Sequence, residues 1–536
     1  MKVINKVCSA GAAMALLASC GGGGGGAGNS PSSTPATTAW VAGQFAPAST
    51  FAAMCASPRT GTDPTTQKPY PDKQGIALDE KNWLRSWNND LYLWFGEVLD
   101  QDPAAFASDA AFFAVLKSTV TTASGAPKDK FHFTYPTATW EALSQSGVEA
   151  GYGANFVIIA ARPPRNVVVS YTEPGSQAAS SPGGLVRGDK ILTVDGVDLV
   201  NASDQASIDT LNAGLSPKTV GETHSLGVLD PNATSSRTVT FVSANIATTP
   251  VQNVKTLPTA AGTLVGYMLF NDHLATAERA LVNAFTQLQS AGVRDLVLDI
   301  RYNGGGYLAI ASEVAYMIAG PGVTAGQTFE LTRFNSKHPT VDPVNGQTIT
   351  PLGFLNTTQG FSTTSGQALP TLSLPRVFVL TSASTCSASE TIINSLQGVN
   401  VQVIQVGTTT CGKPYGFYPQ DNCAVTYFSI QFQGVNAKQF GNYADGFTPA
   451  NTVAVQGVHV PGCSVTDDFA HALGDPSEAV LASALSYQAT GVCPLPPSSM
   501  APPSPLAAAA YVPPSADGKS IKSVWQQNRL YGMPAR

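Results

Sequence analysis

Charge is scarce in this chain. Only 12% of its 536 residues are Asp, Glu, Lys or Arg, about half the usual share. The 35 acids outnumber the 29 bases and leave a net charge of −6 with no basic block, which argues against nucleic acid as a partner. Beyond the first twenty residues there is no apolar run of bilayer length, so a multi-span membrane protein is excluded. The sequence has no Gly-rich phosphate loop ending in Lys-Ser/Thr and no His-Glu-x-x-His. Nucleotide hydrolysis and helix-borne zinc proteolysis are therefore not expected. Cys-x-x-Cys spacing is also missing, so no metal site is indicated, and no cofactor is expected. Present in quantity are 50 Gly, 38 Pro and a 43% hydrophobic content. That is enough apolar material for packed cores, and the length predicts about three domains.

Residues 1–19 have the plan of a secretory signal. Lys2 and Lys6 precede the short apolar stretch Gly11-Ala12-Ala13-Met14-Ala15-Leu16-Leu17, too short for a mature spanning helix. The junction Leu17-Ala18-Ser19-Cys20 resembles the bacterial lipobox. That resemblance implies lipidation of Cys20 and contact with a membrane only through the anchor. Gly21 in place of Asp implies, by analogy with Gram-negative lipoproteins, sorting to the periplasmic face of the outer membrane. Residues 20–50, rich in Gly, Ser and Pro, read as a flexible tether. Six further cysteines remain: Cys55, Cys386, Cys411, Cys423, Cys463 and Cys493. An even number in an exported chain suggests up to three disulfides. Spacing does not select the pairing; Cys411–Cys423 and Cys463–Cys493 are the local guesses.

The rest divides by texture. Over 75–147 the pattern is helical: Trp83, Trp87, Leu91, Trp94 and Phe95 recur at helical steps, and a second helix is expected over Ala105–Thr119. This aromatic stripe reads as core packing. Over 148–245 the chain turns to short β-rich runs such as Phe156-Val157-Ile158-Ile159 and Val167-Val168-Val169. Pro174-Gly175-Ser176-Gln177-Ala178 and Gly184-Leu185-Val186-Arg187-Gly188-Asp189-Lys190-Ile191-Leu192-Thr193-Val194-Asp195-Gly196 together resemble a PDZ domain. The resemblance places a carboxylate-binding loop at Gly151, Tyr152, Gly153 and Ala154, where backbone N–H groups hold a peptide terminus while the peptide adds a strand. Over 250–490 strands and helices alternate, as in a layered α/β domain. Residues 494–536 form a Pro/Ala-rich tail, mostly extended, with a short ordered piece expected around Ser520–Leu530.

Three segments carry chemistry. Asp299-Ile300-Arg301-Tyr302-Asn303-Gly304-Gly305-Gly306 closes a strand with glycines that permit close backbone approach. Ser382-Ala383-Ser384-Thr385-Cys386-Ser387-Ala388-Ser389-Glu390 leads from a strand into a helix, near that helix's positive end. Gly407-Thr408-Thr409-Thr410-Cys411-Gly412-Lys413 follows another strand. Together with the upstream β region they resemble the C-terminal processing peptidases, the tail-specific proteases, over roughly residues 75–490. The resemblance implies an α/β multidomain fold with a small N-terminal helical region, a PDZ-like β domain and a core like the ClpP/crotonase fold. It implies a serine peptidase acting on polypeptides, with substrate C-termini bound or gated by the PDZ-like part.

By the same resemblance Ser387 is the nucleophile and Lys413 the general base. A serine hydroxyl needs a base within hydrogen-bond reach, and a lysine serves only when neutral, a state that burial favours. Activity is accordingly expected to rise with pH as Lys413 deprotonates. Ala388 N–H with Gly304 or Gly305 N–H are the candidate oxyanion donors. Glu390 and Thr410 match motif positions as supports for the serine turn and the lysine loop. Many relatives carry a Gln four residues after the Lys; here that position is Phe417, and Thr410, Tyr415 or Gln420 are the candidate substitutes. The alternatives are a Ser–His mechanism through His273 or His459, an acyl hydrolase acting on non-peptide esters, and a lipid-anchored peptide-binding protein that keeps the fold without turnover.

Overall fold

The computed structural model describes residues 40–494, except 65, 181–182, 261 and 454–455, together with 519–521 and 529–530. The signal segment, Cys20 and most of the tether lie outside the described residues. Among the described residues no helix is long and apolar enough to cross a membrane.

Helix α1, Ala77–Leu91, opens with the Ile76 N–H donating to Asp79 Oδ2 at 2.9 Å. Its inner face buries Trp83, Trp87 and Leu91. The two indoles stack at 5.1 Å between centroids, against Phe113 and Tyr427. The stripe is core at Trp83, Trp87 and Leu91, as its spacing suggested, whereas Trp94 and Phe95 lie beyond the helix and are half-buried. The helix expected over 105–119 shrinks to Asp109–Phe113. Beyond it the backbone bonds to side chains instead: Asn88 Nδ2 donates to the Leu116 carbonyl at 2.8 Å, and the Ser118 N–H donates to Tyr92 Oη at 2.9 Å. Backbone groups satisfied this way have no need of a helical ladder. Packing reaches back into the 20–50 segment, where Arg85 donates to the Gln44 carbonyl at 2.8 Å. Helix α2, Thr137–Ser146, closes this region.

Next comes a β domain. Strand β1 (Val148–Gly151) pairs at its far end with β7 (Ala244–Ala247). Between them lie β2 (Ala154–Ala160), β3 (Asn166–Thr172), β4 (Lys190–Val194), helix α3 (Gln205–Leu215), β5 (Thr223–Leu229) and β6 (Arg237–Val242). Their antiparallel sheet runs β6-β5-β4-β3-β2. The hairpin turn at Asp195-Gly196 has positive φ at both residues, 50° and 79°, the backbone that this turn type requires. Phe156, Val169, Ile191, Val194, Leu226 and Phe241 form the domain's own core.

The largest layer is a six-stranded sheet of order β8 (Val251–Pro258), β9 (Leu264–Phe270), β10 (Asp295–Asp299), β12 (Arg376–Thr381), β13 (Gln402–Gly407) and β15 (Gly462–Ser464). Only the β8–β9 pair is antiparallel. The two-residue strands β11 (Gly306–Tyr307) and β14 (Tyr415–Gly416) lie outside this sheet. Alternation sorts the sheet's side chains. Leu296 and Leu298 face a core built with α4 (Ala277–Ser290), α5 (Leu308–Ala319) and α6 (Ala388–Gly398). Val297, Phe378 and Leu380 face the other way, toward α7 (Ala479–Thr490) and toward Val157, Val168 and Tyr171 of the β domain. Strands covered on both faces must be apolar throughout. That is why Asp295–Asp299 and Arg376–Thr381 read as near-continuous hydrophobic runs.

Two short strands complete the described chain. Strand β16 (Lys519–Ile521) pairs antiparallel with β2, and β17 (Arg529–Leu530) pairs parallel with β11.

Candidate active site

Loops at the carboxyl ends of parallel strands converge where open α/β sheets place their ligands. Strands β10, β12 and β13 are adjacent, with Asp299 opposite Leu380 and Thr381 opposite Gly407. Their three exit loops therefore start at one level. They are the three segments singled out above.

The serine loop is held in a strained shape. Ser387 precedes α6 with φ 59° and ψ −116°, a region costly for a residue with a Cβ, at about 1–3 kcal/mol. The surroundings impose it. The Ser387 N–H donates to Glu390 Oε2 at 3.0 Å. The Thr391 N–H takes the Ser387 carbonyl at 2.9 Å. One residue earlier, Cys386 is bridged to Cys411 of the lysine loop, with Cα atoms 5.2 Å apart.

The lysine loop hangs on the same carboxylate. Glu390 Oε2 also accepts the Lys413 N–H at 2.8 Å, while Oε1 accepts the Gly412 N–H at 2.9 Å and Thr410 Oγ1 at 2.5 Å. Thr410 Oγ1 in turn accepts the Phe447 N–H at 2.8 Å. Gly412 is needed here: its φ is +79°, and a Cβ would lie 2.2 Å from the Ala444 carbonyl. Burial pushes the Glu390 carboxyl above its ordinary value, against the pull of these donors. Ser387, Glu390 and Lys413 are all fully buried. The Lys413 ammonium lies 4.5 Å from the ring centre of Phe417 and 4.7 Å from that of Phe131. Burial disfavours an ammonium, whereas ring faces attract it.

The glycine turn abuts the serine turn. The Asn303 carbonyl accepts the Cys386 N–H at 3.1 Å and Ser389 Oγ at 3.0 Å. Asn303 Oδ1 accepts the Gly305 N–H at 3.0 Å and meets His273 Nδ1 at 2.9 Å. Just before it, fully buried Arg301 spans Asp299, Asp467 and Glu478 at 2.8–3.0 Å. Arg187 of the β domain reaches the same Asp467 at 2.7 Å and Tyr302 Oη at 2.6 Å. Burial would raise the Asp467 carboxyl, but the two guanidiniums hold it below its ordinary value.

The structure thus brings Ser387, Ala388, Glu390, Thr410 and Lys413 together, with Gly304 and Gly305 on the neighbouring turn. Of the candidates for orienting the lysine, Thr410 bonds Glu390. Tyr415 packs edge-on to Trp94 at 4.7 Å, and Gln420 sits in a hairpin opposite Tyr427. Two of the groups around the ammonium are the rings of Phe131 and Phe417. Sequence reasoning missed Phe131, which comes from the N-terminal region, as does Lys130, whose Nζ donates to the Cys411 carbonyl at 2.9 Å. The expected Cys411–Cys423 bridge is wrong. Cys423 pairs with Cys55 and Cys411 with Cys386, whereas Cys463–Cys493 is as expected. A cysteine just before the serine and another two residues before the lysine was the available signal. His273, just after β9, is buried against the glycine turn, and His459 is exposed.

The loop 151–154 lies elsewhere, on the β domain. Tyr152 Oη donates to the Gly214 carbonyl at 3.0 Å. The carbonyls of Tyr152 and Gly153 accept the Ala178 and Glu173 N–H groups at 3.0 and 2.7 Å. Gly153 has φ +81°, and a Cβ there would sit 2.2 Å from that of Ser176. A cavity of about 840 Å³ opens beside Glu149, Gly151, Tyr152, Gly153, Ala154 and Lys218.

The chain is 31% identical over 240 residues to the carboxyl-terminal-processing protease of Picosynechococcus sp., covering 45% of this chain and 49% of that protein. It is 33% identical over 162 residues to the chloroplastic C-terminal processing peptidase of Tetradesmus obliquus, covering 30% of this chain and 34% of that one. It therefore spans half or less of the length of these relatives. A crystal structure of a Bacteroides fragilis protein assigned to the S41 proteases superposes with a TM-score of 0.56 at 22% identity, over 79% of this chain and 98% of that one. The mixed α/β fold is shared. The family model of peptidase family S41 matches residues 264–417, the stretch that holds Asn303, Ser387, Glu390 and Lys413.

Proposed function

We propose that the chain is a serine endopeptidase that cleaves polypeptides with Ser387 as nucleophile and Lys413 as base. The observation that carries this reading is the convergence of the two backbones. The N–H groups of Ser387 and Lys413 both donate to the same oxygen of Glu390, which holds two loops 26 residues apart on one buried carboxylate.

In this reading Ser387 Oγ attacks the substrate carbonyl and neutral Lys413 Nζ takes its proton. The tetrahedral oxyanion receives the Ala388 N–H, at the positive end of α6, and the Gly304 N–H. Gly305 is the weaker candidate, because its N–H already donates to Asn303 Oδ1. Collapse expels the amine with the proton from Lys413, and water hydrolyses the acyl-enzyme by the reverse sequence. Glu390 acts by positioning, and Phe131 and Phe417 wall the amine from solvent.

The β domain is read as a PDZ-like module that takes peptide along β2, with the 151–154 loop and its cavity as the terminus site. The alternating sheet, the helix α3 and the inward-bonded loop carbonyls support it. Lipid attachment at Cys20 and a place at the periplasmic face of the outer membrane complete the proposal.

The test is cleavage of an unfolded protein by the chain and by its Ser387→Ala and Lys413→Ala variants. Each variant is expected to lose turnover by on the order of 10⁴ or more. Variants that cleave as well as the parent would overturn the dyad. A parent that cleaves no peptide bond would favour a binding protein, and one that cleaves only esters an acyl hydrolase.

A further inference from the structure

Strands β16 and β17 belong to the same tail, yet they pair with two different parts of the molecule. Strand β2 is the last strand of the β domain's own sheet. An edge strand with unfilled N–H and C=O groups invites another strand. Here the occupant is Lys519–Ile521, with Lys519 opposite Ile158, Ser520 opposite Val157 and Ile521 opposite Phe156. The tail thus runs antiparallel to β2 and heads toward the loop at 151–154. It does not end there. Eight residues later Arg529 and Leu530 pair in parallel with Gly306 and Tyr307, immediately after the Asn303–Gly305 turn. Their Cα atoms also come within 8 Å of β14, Tyr415–Gly416, immediately after Lys413. Two pieces of one tail, Lys519–Ile521 and Arg529–Leu530, therefore lie on the edge of β2 and beside the two loops that flank the serine.

We propose that the tail strands Lys519–Ile521 and Arg529–Leu530 occupy this chain's own substrate path in cis, as a tethered competitor that incoming polypeptide must displace. The occupant is this chain itself: both pairings are backbone ladders, the mode by which a peptide adds to a sheet edge. A tethered segment of this kind faces its site at an effective concentration of about millimolar, so even a weak ladder keeps it in place. Residues 519–536 carry four bases and no acid on a chain of net charge −6, which favours the docked state over release.

The inference rests on the peptidase reading for its consequence but not for its occupancy, and the experiment separates the two. In the full chain carrying Ser387→Ala, amide hydrogen exchange is compared with and without the further pair Ser520→Pro and Ile521→Pro. Adjacent residues of a strand point their N–H groups to opposite sides, so one of the two prolines must remove a donor facing β2. Exchange across Ala154–Ala160 should quicken by about tenfold, with β9 and β10 unchanged. A second pair, Arg529→Pro and Leu530→Pro, should do the same at Gly306–Tyr307. Unchanged exchange in both pairs would overturn the proposal, whatever the activity. With Ser387 restored, either pair should lower KM by about tenfold at unchanged kcat, and a synthetic peptide of residues 519–536 should raise it again. An unaltered KM in an active enzyme would overturn the inhibitory role. A parent and variants that all fail to cleave would instead defeat the peptidase reading and leave the exchange result to decide occupancy.

Discussion

Of the fully buried glutamates, Glu390 and Glu313 are treated by the protein in opposite ways. Glu390, under the serine turn, receives four donors from two segments of chain. Glu313, on α5, lies beside a second buried carboxylate, Glu278. There Glu278 takes the N–H groups of Gln359, Gly360, Ser362 and Thr363 at 2.6–3.1 Å, and Glu313 receives one longer bond from Gln359 at 3.2 Å. Burial first, and the neighbouring Glu278 charge second, push the Glu313 carboxyl up to about 9. At Glu390 the surrounding N–H groups work against burial. The comparison teaches that burial sets the cost of a carboxylate and the supply of donors decides how it is met. Where donors converge, the acid becomes a clamp for two loops. Where they are short, it keeps its proton.

Breaking the Glu390 clamp should have the largest effect. In Glu390→Gln an amide NH₂ faces N–H groups that need an acceptor, so at least one donor loses its partner, at about 1–3 kcal/mol each. Expected are a loss of about 3 kcal/mol in denaturant unfolding and a fall in turnover of about a hundredfold or more, since the serine and lysine loops share that oxygen. Near-parental turnover would show that the clamp does not position the site.

The Cys386–Cys411 bridge supports the same two loops by covalent means. Its sequence separation is 25 residues, which the chain-entropy relation converts to about 3 kcal/mol of stability. Replacing both cysteines by Ala should lower stability by about that amount. Turnover should fall less than in Glu390→Gln, because the hydrogen-bonded clamp stays. A turnover loss exceeding that of Glu390→Gln would reverse the ranking of the two devices.

The smallest effect is expected at Glu313, and it sharpens the contrast through pH. Folded Glu313 keeps its proton up to about 9, above its ordinary value of 4.5. Between those values the folded state binds more protons than the unfolded one, so stability falls as pH rises. Glu313→Gln should abolish that slope. The variant should match the parent near pH 4, exceed it at pH 8 in thermal unfolding, and leave turnover unchanged. A parent whose stability rises from pH 5 to 8, with the variant following it, would contradict a folded Glu313 that keeps its proton.

Legibility in the sequence followed the range of the interaction. The Asp195-Gly196 turn, the apolar runs of β9, β10, β12 and β13 and the serine-to-helix transition depend on neighbours within a few residues, and each stood where its pattern placed it. The helix over 105–119 failed because its backbone partners, Asn88 and Tyr92, are more than twenty residues away. Phe131 was invisible for the same reason: nothing near it in the chain announces that its ring covers Lys413. Cysteine spacing favoured the near pair Cys411–Cys423, whereas the fold joined Cys55 to Cys423 across 368 residues.

By itself the sequence determined the residue types able to do chemistry, the strands and helices that carry them, and the glycines that let loops pass close to backbone. Tertiary structure alone decided that one Glu390 oxygen would hold both Ser387 and Lys413, that two phenyl rings would lie over the amine, and that Lys519–Ile521 and Arg529–Leu530 would pair with two separate parts of the fold. The physical reason is that turn and ladder preferences act within a few residues. Burial, shared hydrogen-bond acceptors and disulfide partners are properties of surfaces that meet only once the chain has folded.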